Sequence, residues 1–216
     1  MRPARASVWL WCVLCLCVLL GETQQAASLQ DAGAPPQASS KPHTKPHAAL
    51  SVPKEGSVQD GVYRNPYFGF SCKIPYGWVD RTQQMQEGSE PGKSMVLLSA
   101  FERPPEATGD GVNSAVVIAA ESMDSYPGLK SAADYFGPLT ELTTGKGFKV
   151  ANEPYEFLIG ATQVVRGDFS KELGSRKMWQ SSVVVLQKKY AISFTFIGGS
   201  QDEVDELVAN LSFAGK

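Results

Sequence analysis

From residue 61 onward, apolar and polar residues alternate with a period of two, in runs broken by glycine, proline or paired lysines. Phe68, Phe70, Cys72 and Ile74 alternate with Gly69, Ser71 and Lys73, which predicts a strand over 67–74, stopped by Pro75 and Gly77. Further strands are predicted over 95–101, 114–121, 162–169, 178–187 and 190–197, with Lys188-Lys189 as the turn between the last two. The stretch 148–158 holds shorter strand material.

Two helices interrupt this pattern. Tyr126-Pro127-Gly128 opens one over 129–142. A disturbance is expected at Gly137-Pro138, because proline lacks the backbone donor and its ring clashes with the preceding turn. Gly145 and Gly147 end that helix. Ser200 caps the second, and Glu203 three residues on completes a capping box. Val204, Leu207, Val208 and Leu211 give it one apolar stripe. Asp202, Glu203, Asp205 and Glu206 crowd its first turns, where the helix dipole favours negative charge.

Several strands are apolar on both faces. Val116 and Ile118 oppose Ala115, Val117 and Ala119; Tyr190, Ile192, Phe194 and Phe196 oppose Ala191 and Ile197. Such a sheet must be covered on both sides. Consecutive strands with short connections argue for antiparallel order. The expected class is therefore α+β: an antiparallel sheet covered by helices on both faces, an α/β/α sandwich.

The N-terminus follows a different pattern. Arg2 and Arg5 precede an uncharged apolar run from Ala6 to Leu20, the arrangement of a secretory signal peptide. As a helix the run reaches roughly 22 Å, short of the ~30 Å hydrocarbon core of a bilayer. Small residues suit cleavage either after Gly21, with Leu19 at −3, or after Ser28, with Ala26 at −3. Cys12, Cys15 and Cys17 follow Trp11, Leu14 and Leu16, whereas lipid attachment wants a small residue before the cysteine. Residues 22–60 are rich in Ala, Gln, Ser, Pro, Lys and Gly and cannot bury enough surface to offset the entropy of ordering them. The expected organisation is a signal peptide over 1–27, a stalk over 28–60 and one globular domain over 61–216, placed in the periplasm or secreted. Membrane contact is expected only through an uncleaved signal segment.

Charge and cysteine content narrow the function. The net charge is −2, and loss of Arg2 and Arg5 takes it to −4 if no other charge leaves. No basic block is present, so neither nucleic acid nor anionic lipid is an expected partner. The mature chain would keep only Cys72 and hence no internal disulfide. Cys72 points to the apolar face of its strand and reads as a buried, inert thiol.

Both histidines, His43 and His47, lie in a small Lys-Pro-His repeat of the stalk. Two imidazoles without a third ligand make a weak metal site and read as part of a spacer. A domain without histidine has no Ser-His-Asp or Cys-His machinery. With one cysteine it has no Cys/His zinc site, and no nucleotide loop motif is present. Gly145-Lys146-Gly147 reads as a helix end rather than an anion site. Carboxylate catalysis remains open, because paired acids roughly 5–9.5 Å apart hydrolyse glycosidic bonds. Asp80, Asp110, Glu121, Asp124, Glu153, Glu156 and Asp168 are available, but no spacing selects a pair and none follows a calcium-loop pattern. Tyr63, Tyr67, Phe68, Phe70, Tyr76 and Trp78 make an aromatic-rich start, with Tyr76 and Trp78 placed for partial exposure. Asn210-Leu211-Ser212 is a glycosylation acceptor, placed in a helix rather than a loop.

The segment Phe68-Gly69-Phe70-Ser71-Cys72-Lys73-Ile74-Pro75-Tyr76-Gly77-Trp78 resembles the opening of PsbP-like and DUF1795-type small exported domains. The end of the chain is similar to theirs too: Lys189-Tyr190-Ala191-Ile192-Ser193-Phe194, then Gly-Gly-Ser, an acidic helix and Leu211-Ser212-Phe213. The resemblance implies an α/β/α fold with a central antiparallel sheet and a mostly non-enzymatic role. Its members are photosystem accessory subunits, secretion-related chaperones, envelope lipoproteins and a relative that binds a small GTPase. The expectation is an exported, non-catalytic binding or accessory module with no cofactor, metal or catalytic residue, whose partner is another exported or envelope protein. The alternatives are a carboxylate-dependent hydrolase acting on glycans and a small-ligand carrier, which would need a closed apolar pocket.

Overall fold

The computed structural model describes residues 56–86, 94–107, 109 and 111–214. The signal peptide 1–27, nearly all of the 28–60 stalk with its two histidines, and Asp110 lie outside the described residues.

Among the described residues the strands form two antiparallel sheets. The larger has the order β4-β5-β6-β10-β9-β8-β7, with β4 Val79–Asp80, β5 Ser94–Phe101, β6 Ala115–Ser122, β7 Lys149–Ile159, β8 Thr162–Leu173, β9 Arg176–Gln187 and β10 Tyr190–Gly198. The smaller has the order β1-β2-β3-β11, with β1 Ser57–Gln59, β2 Val62–Asn65, β3 Phe70–Lys73 and β11 Leu211–Phe213. Three α-helices accompany them: α1 Thr82–Gln86, α2 Ala132–Gly145 and α3 Gln201–Ala209. The 3₁₀ turn Met123–Ser125 follows β6.

The second sheet departs from the expected single sheet. Residue 67 does not begin a strand. Asn65, fully buried, instead builds a turn: its side-chain oxygen accepts from the Phe68 N–H at 2.9 Å and its carbonyl from the Gly69 N–H at 2.8 Å. Gly69 takes φ +67°, which a residue without Cβ adopts cheaply, and β3 starts only at Phe70. Ser57–Gln59 fall inside the segment read as stalk and pair with β2. β11 closes the other edge, with Phe213 opposite Phe70 and Leu211 opposite Cys72.

Alternation along the long strands separates two cores. Val183 and Val185, with Ile118, Ile192, Phe194 and Phe196, share one cluster with Tyr63, Phe68, Phe70 and Cys72 of the small sheet and with Val204, Leu207 and Val208 of α3. Val184, with Val117, Ala191 and Ile197, shares the other with Tyr135, Phe136 and Leu139 of α2 and Met85 of α1. Phe194 stands edge-on to Phe70 at 4.9 Å and to Phe213 at 5.9 Å, so one ring from β10 fastens both β3 and β11 to the large sheet. Cys72 is completely buried, and burial pushes its thiol up to about 12.

The helix ends obey local chemistry. Ser200 caps α3, its hydroxyl accepting from the Glu203 N–H at 3.1 Å, but the expected capping box is not completed: the Glu203 carboxylate accepts from the Gly199 N–H at 2.8 Å instead of from Ser200. α2 starts at Ala132 rather than residue 129, because Ser131 and Asp134 form a full capping box. It also runs unbroken through Pro138. The residue before proline is normally barred from helical backbone by its Cβ; here that residue is Gly137, which has none and open space around it. Gly147 at φ +85° ends the helical path. No described helix is long and apolar enough to cross a membrane.

Candidate functional site

Of the carboxylates singled out in the sequence, two are buried: Glu121 at 5% exposure and Asp168 at 4%. Asp80, Asp124, Glu153 and Glu156 are exposed. Asp80 is spent locally, accepting from the Thr82 N–H at 2.8 Å at the start of α1. Glu121 shares the parity of Val117 and Ala119 and bonds to Tyr135 of α2; Asp168 shares the parity of Val164 on the α3 side. The two buried acids therefore leave opposite faces of the sheet and do not form a catalytic pair.

Their surroundings differ in kind. Glu121 accepts hydrogen bonds from the Tyr126 hydroxyl and, at 2.9 Å, from the Tyr135 hydroxyl. Burial raises its pKa above the ordinary carboxylate range, and the two donated hydroxyls only partly offset that. Burial and the neighbouring Glu121 raise both tyrosines as well.

Asp168 lies beside a cation. The Arg166 Nε donates to its Oδ1 at 2.9 Å, and Asn152 Nδ2 and the Tyr155 hydroxyl donate to Oδ2 at 3.0 and 3.3 Å. Arg166 is itself buried, on the same face two residues earlier. One Nη of Arg166 donates to Asp205 on α3, and the guanidinium stands 5.4 Å from the centre of the Phe157 ring. Burial opposes the charge on Arg166, but the hydrogen bonds to Asp205 and Asp168 outweigh it and hold the group ionised. Burial and Asp168 raise the Tyr155 hydroxyl. Ser181, directly opposite Asp168 in the ladder, is buried with its hydroxyl unpartnered among the described residues.

Arg166 and Asp205 also line an open cavity of about 480 Å³. Its remaining walls are Phe157 to Gly160 at the end of β7, Val208 and Ala209 of α3, and Leu211. A volume of this order is typical of ligand sites, where apolar walls with a few polar groups are the rule. Another cavity, of about 510 Å³, lies between β1, α1 and β5, lined by Asp80, Thr82, Gln83, Gln84 and Gln86; it offers amides but no cation. No group of three or more His, Cys, Asp or Glu placed to hold a metal occurs among the described residues.

The aromatic start divides. Tyr63, Phe68 and Phe70 are core residues, Trp78 packs against that core, and Tyr76 is fully exposed. The glycosylation acceptor Asn210 is the C-terminal cap of α3. Arg166, Tyr135 and Asp205 were not singled out as site residues from the sequence. The signal for Arg166 and Asp168 was present: opposite charges two apart, in phase with Val164, place an ion pair on the apolar face of one strand.

No family model matches the chain, and no curated protein matches it. Among solved structures it is similar to cyanobacterial PsbP from Synechocystis sp. PCC 6803, at 14% identity over 78% of this chain and 98% of that one, with a TM-score of 0.47. The Ran-binding protein Mog1p of Saccharomyces cerevisiae matches at 9% identity over 73% and 96%, TM-score 0.43. LpqN, involved in cell envelope biogenesis of Mycobacterium tuberculosis, matches at 10% identity over 68% and 83%, TM-score 0.34. Likenesses at this level carry no argument about activity or partner.

Proposed function

We propose that this chain is an exported, non-catalytic binding module on an α/β/α, PsbP-like frame, and that it meets another exported or envelope protein at the groove between β7 and α3. One observation supports this above the others: the buried cation Arg166 lines an apolar cavity, held there by Asp168 from behind and Asp205 from the rim. That is chemistry for recognising an anion. Around it are acids, amides and apolar walls, with no histidine and no cysteine to serve as base or nucleophile.

The test is site-specific photo-cross-linking of the full chain in its native envelope or culture fluid. A photoreactive residue at Leu158, exposed on the cavity wall, is expected to give a stoichiometric adduct with one exported protein. The same group at Leu173, at the β8–β9 end, is expected to give none. No adduct at Leu158 in repeated captures removes the proposal, and turnover of a glycan by the purified chain replaces it with the hydrolase reading.

A further inference from the structure

We infer that the cavity at Arg166 takes the carboxyl-terminal end of a partner polypeptide, whose carboxylate displaces Asp205 from the guanidinium. This deepens the binding-module reading and rests on it. The two carboxylates on Arg166 are not equivalent. The Asp168 side chain is 6% exposed and is held by Arg166, Asn152 and Tyr155 together. The Asp205 side chain is 47% exposed, on the rim, where water can take over its hydrogen bonds once it leaves the guanidinium. Asp205 can therefore move into solvent when another carboxylate takes over its hydrogen bond from Arg166. That move frees an Arg166 Nη for an incoming carboxylate, while Asp168 still fixes the guanidinium from the other side.

Guanidinium geometry favours a carboxylate, which it can bind through two parallel hydrogen bonds. The walls select what the carboxylate is attached to. Phe157, Ile159, Val208 and Leu211 favour an aliphatic body. β7 ends the large sheet, so its outer backbone groups pair with no other described strand. Its first half is broken by two register shifts and Pro154, but from Tyr155 to Ile159 its pairing with β8 is regular. That regular edge borders the cavity and offers hydrogen bonds to a peptide backbone, which a simple fatty chain has no groups to accept. A volume of about 480 Å³ suits a chain end rather than a folded domain.

The experiment is calorimetric titration of the full chain with a capped tetrapeptide of alanine, valine and leucine bearing a free carboxyl end, and with its carboxamide twin. The acid is expected to bind about ten-fold more tightly than the amide, the worth of one charge-assisted hydrogen bond. Asp205→Asn, at an exposed position, is expected to tighten the acid by about as much and leave the amide unchanged. Arg166→Gln with Asp168→Asn, which removes both buried charges together, is expected to abolish the preference. Equal binding of acid and amide, no effect of Asp205→Asn, or tighter binding of octanoate than of the peptide acid each overturns the inference. Failure of the peptide acid alongside a Leu158 adduct overturns the inference alone; loss of the adduct overturns the reading beneath it.

Discussion

The large sheet buries one carboxylate on each face, and the two are neutralised by different means. Glu121 is met by uncharged donors, two tyrosine hydroxyls, and sits between β6, the turn after it and α2. Asp168 is met by a guanidinium that also borders an open cavity. Hydroxyls satisfy the oxygen lone pairs but do not balance the charge, so Glu121 stays a reluctant anion and acts as a pin between elements. A guanidinium balances the charge and has donors left over. The first arrangement makes a pH-sensitive fastening; the second leaves guanidinium donors beside an open cavity.

The largest effect should come from breaking the charged pair. Arg166→Leu leaves Asp168 buried without its cation and is expected to cost about 3–5 kcal/mol in denaturant unfolding. Arg166→Met with Asp168→Leu is expected to recover most of that loss, because the pair contributes little net once both charges are gone. A double variant as unstable as the single one would mean that the site is structural rather than held for recognition.

Gly167, between the two charged residues, tests how tightly the opposite face is built. A Cβ there would stand 2.7 Å from Phe136 Cε1, so Gly167→Ala is expected to cost about 1–3 kcal/mol by overpacking. A shift in the unfolding midpoint below half of that would mean that α2 moves aside.

The uncharged pin should show itself through pH. Glu121 has a raised pKa in the folded state, so its contribution is fully present below the ordinary carboxyl value. It is lost as pH rises from there through the raised folded value. Glu121→Gln keeps an acceptor for the tyrosines and cannot ionise. Its Tm advantage over the wild type at neutral pH is expected to shrink toward pH 4. Parallel Tm curves for the two proteins across that range would contradict the assignment.

The smallest effect concerns neither acid and so serves as a control. Lys188 and Lys189 form the β9–β10 turn with φ of +49° and +65°. Lys189→Gly should relieve the left-handed strain and raise stability by about 1 kcal/mol or slightly less in the same melts, without touching peptide binding.

Much of the framework was legible from residue spacing. Cys72 lies on the buried face its alternation required, and Lys188-Lys189 turns where two strands meet. Short elements were not legible: β1, β4 and β11 have two or three residues each, too few for a period of two to emerge. Their strand state is imposed by neighbours, as Phe70 and Phe194 impose it on Phe213. The site was less visible still. Asp168 looks like any surface acid until the strand pairing sets Tyr155 opposite Arg166 and Asn152 opposite Asp168. Asp205 reads as a dipole partner of its own helix, and only packing of α3 brings it to a strand 39 residues earlier in sequence. These relations are long-range, and local patterning has no access to them.

The pairing of β11 with β3 has a consequence for how the chain is made. Until residues 211–213 arrive, β3 has a bare edge, and Phe70 and Phe194 lack the ring that wedges beside them. The small sheet can therefore close only after residues 211–213 have been synthesised. In a nascent chain that has not yet reached Phe213 the small sheet would stay open along β3, and arrival of β11 would work as a latch that closes it.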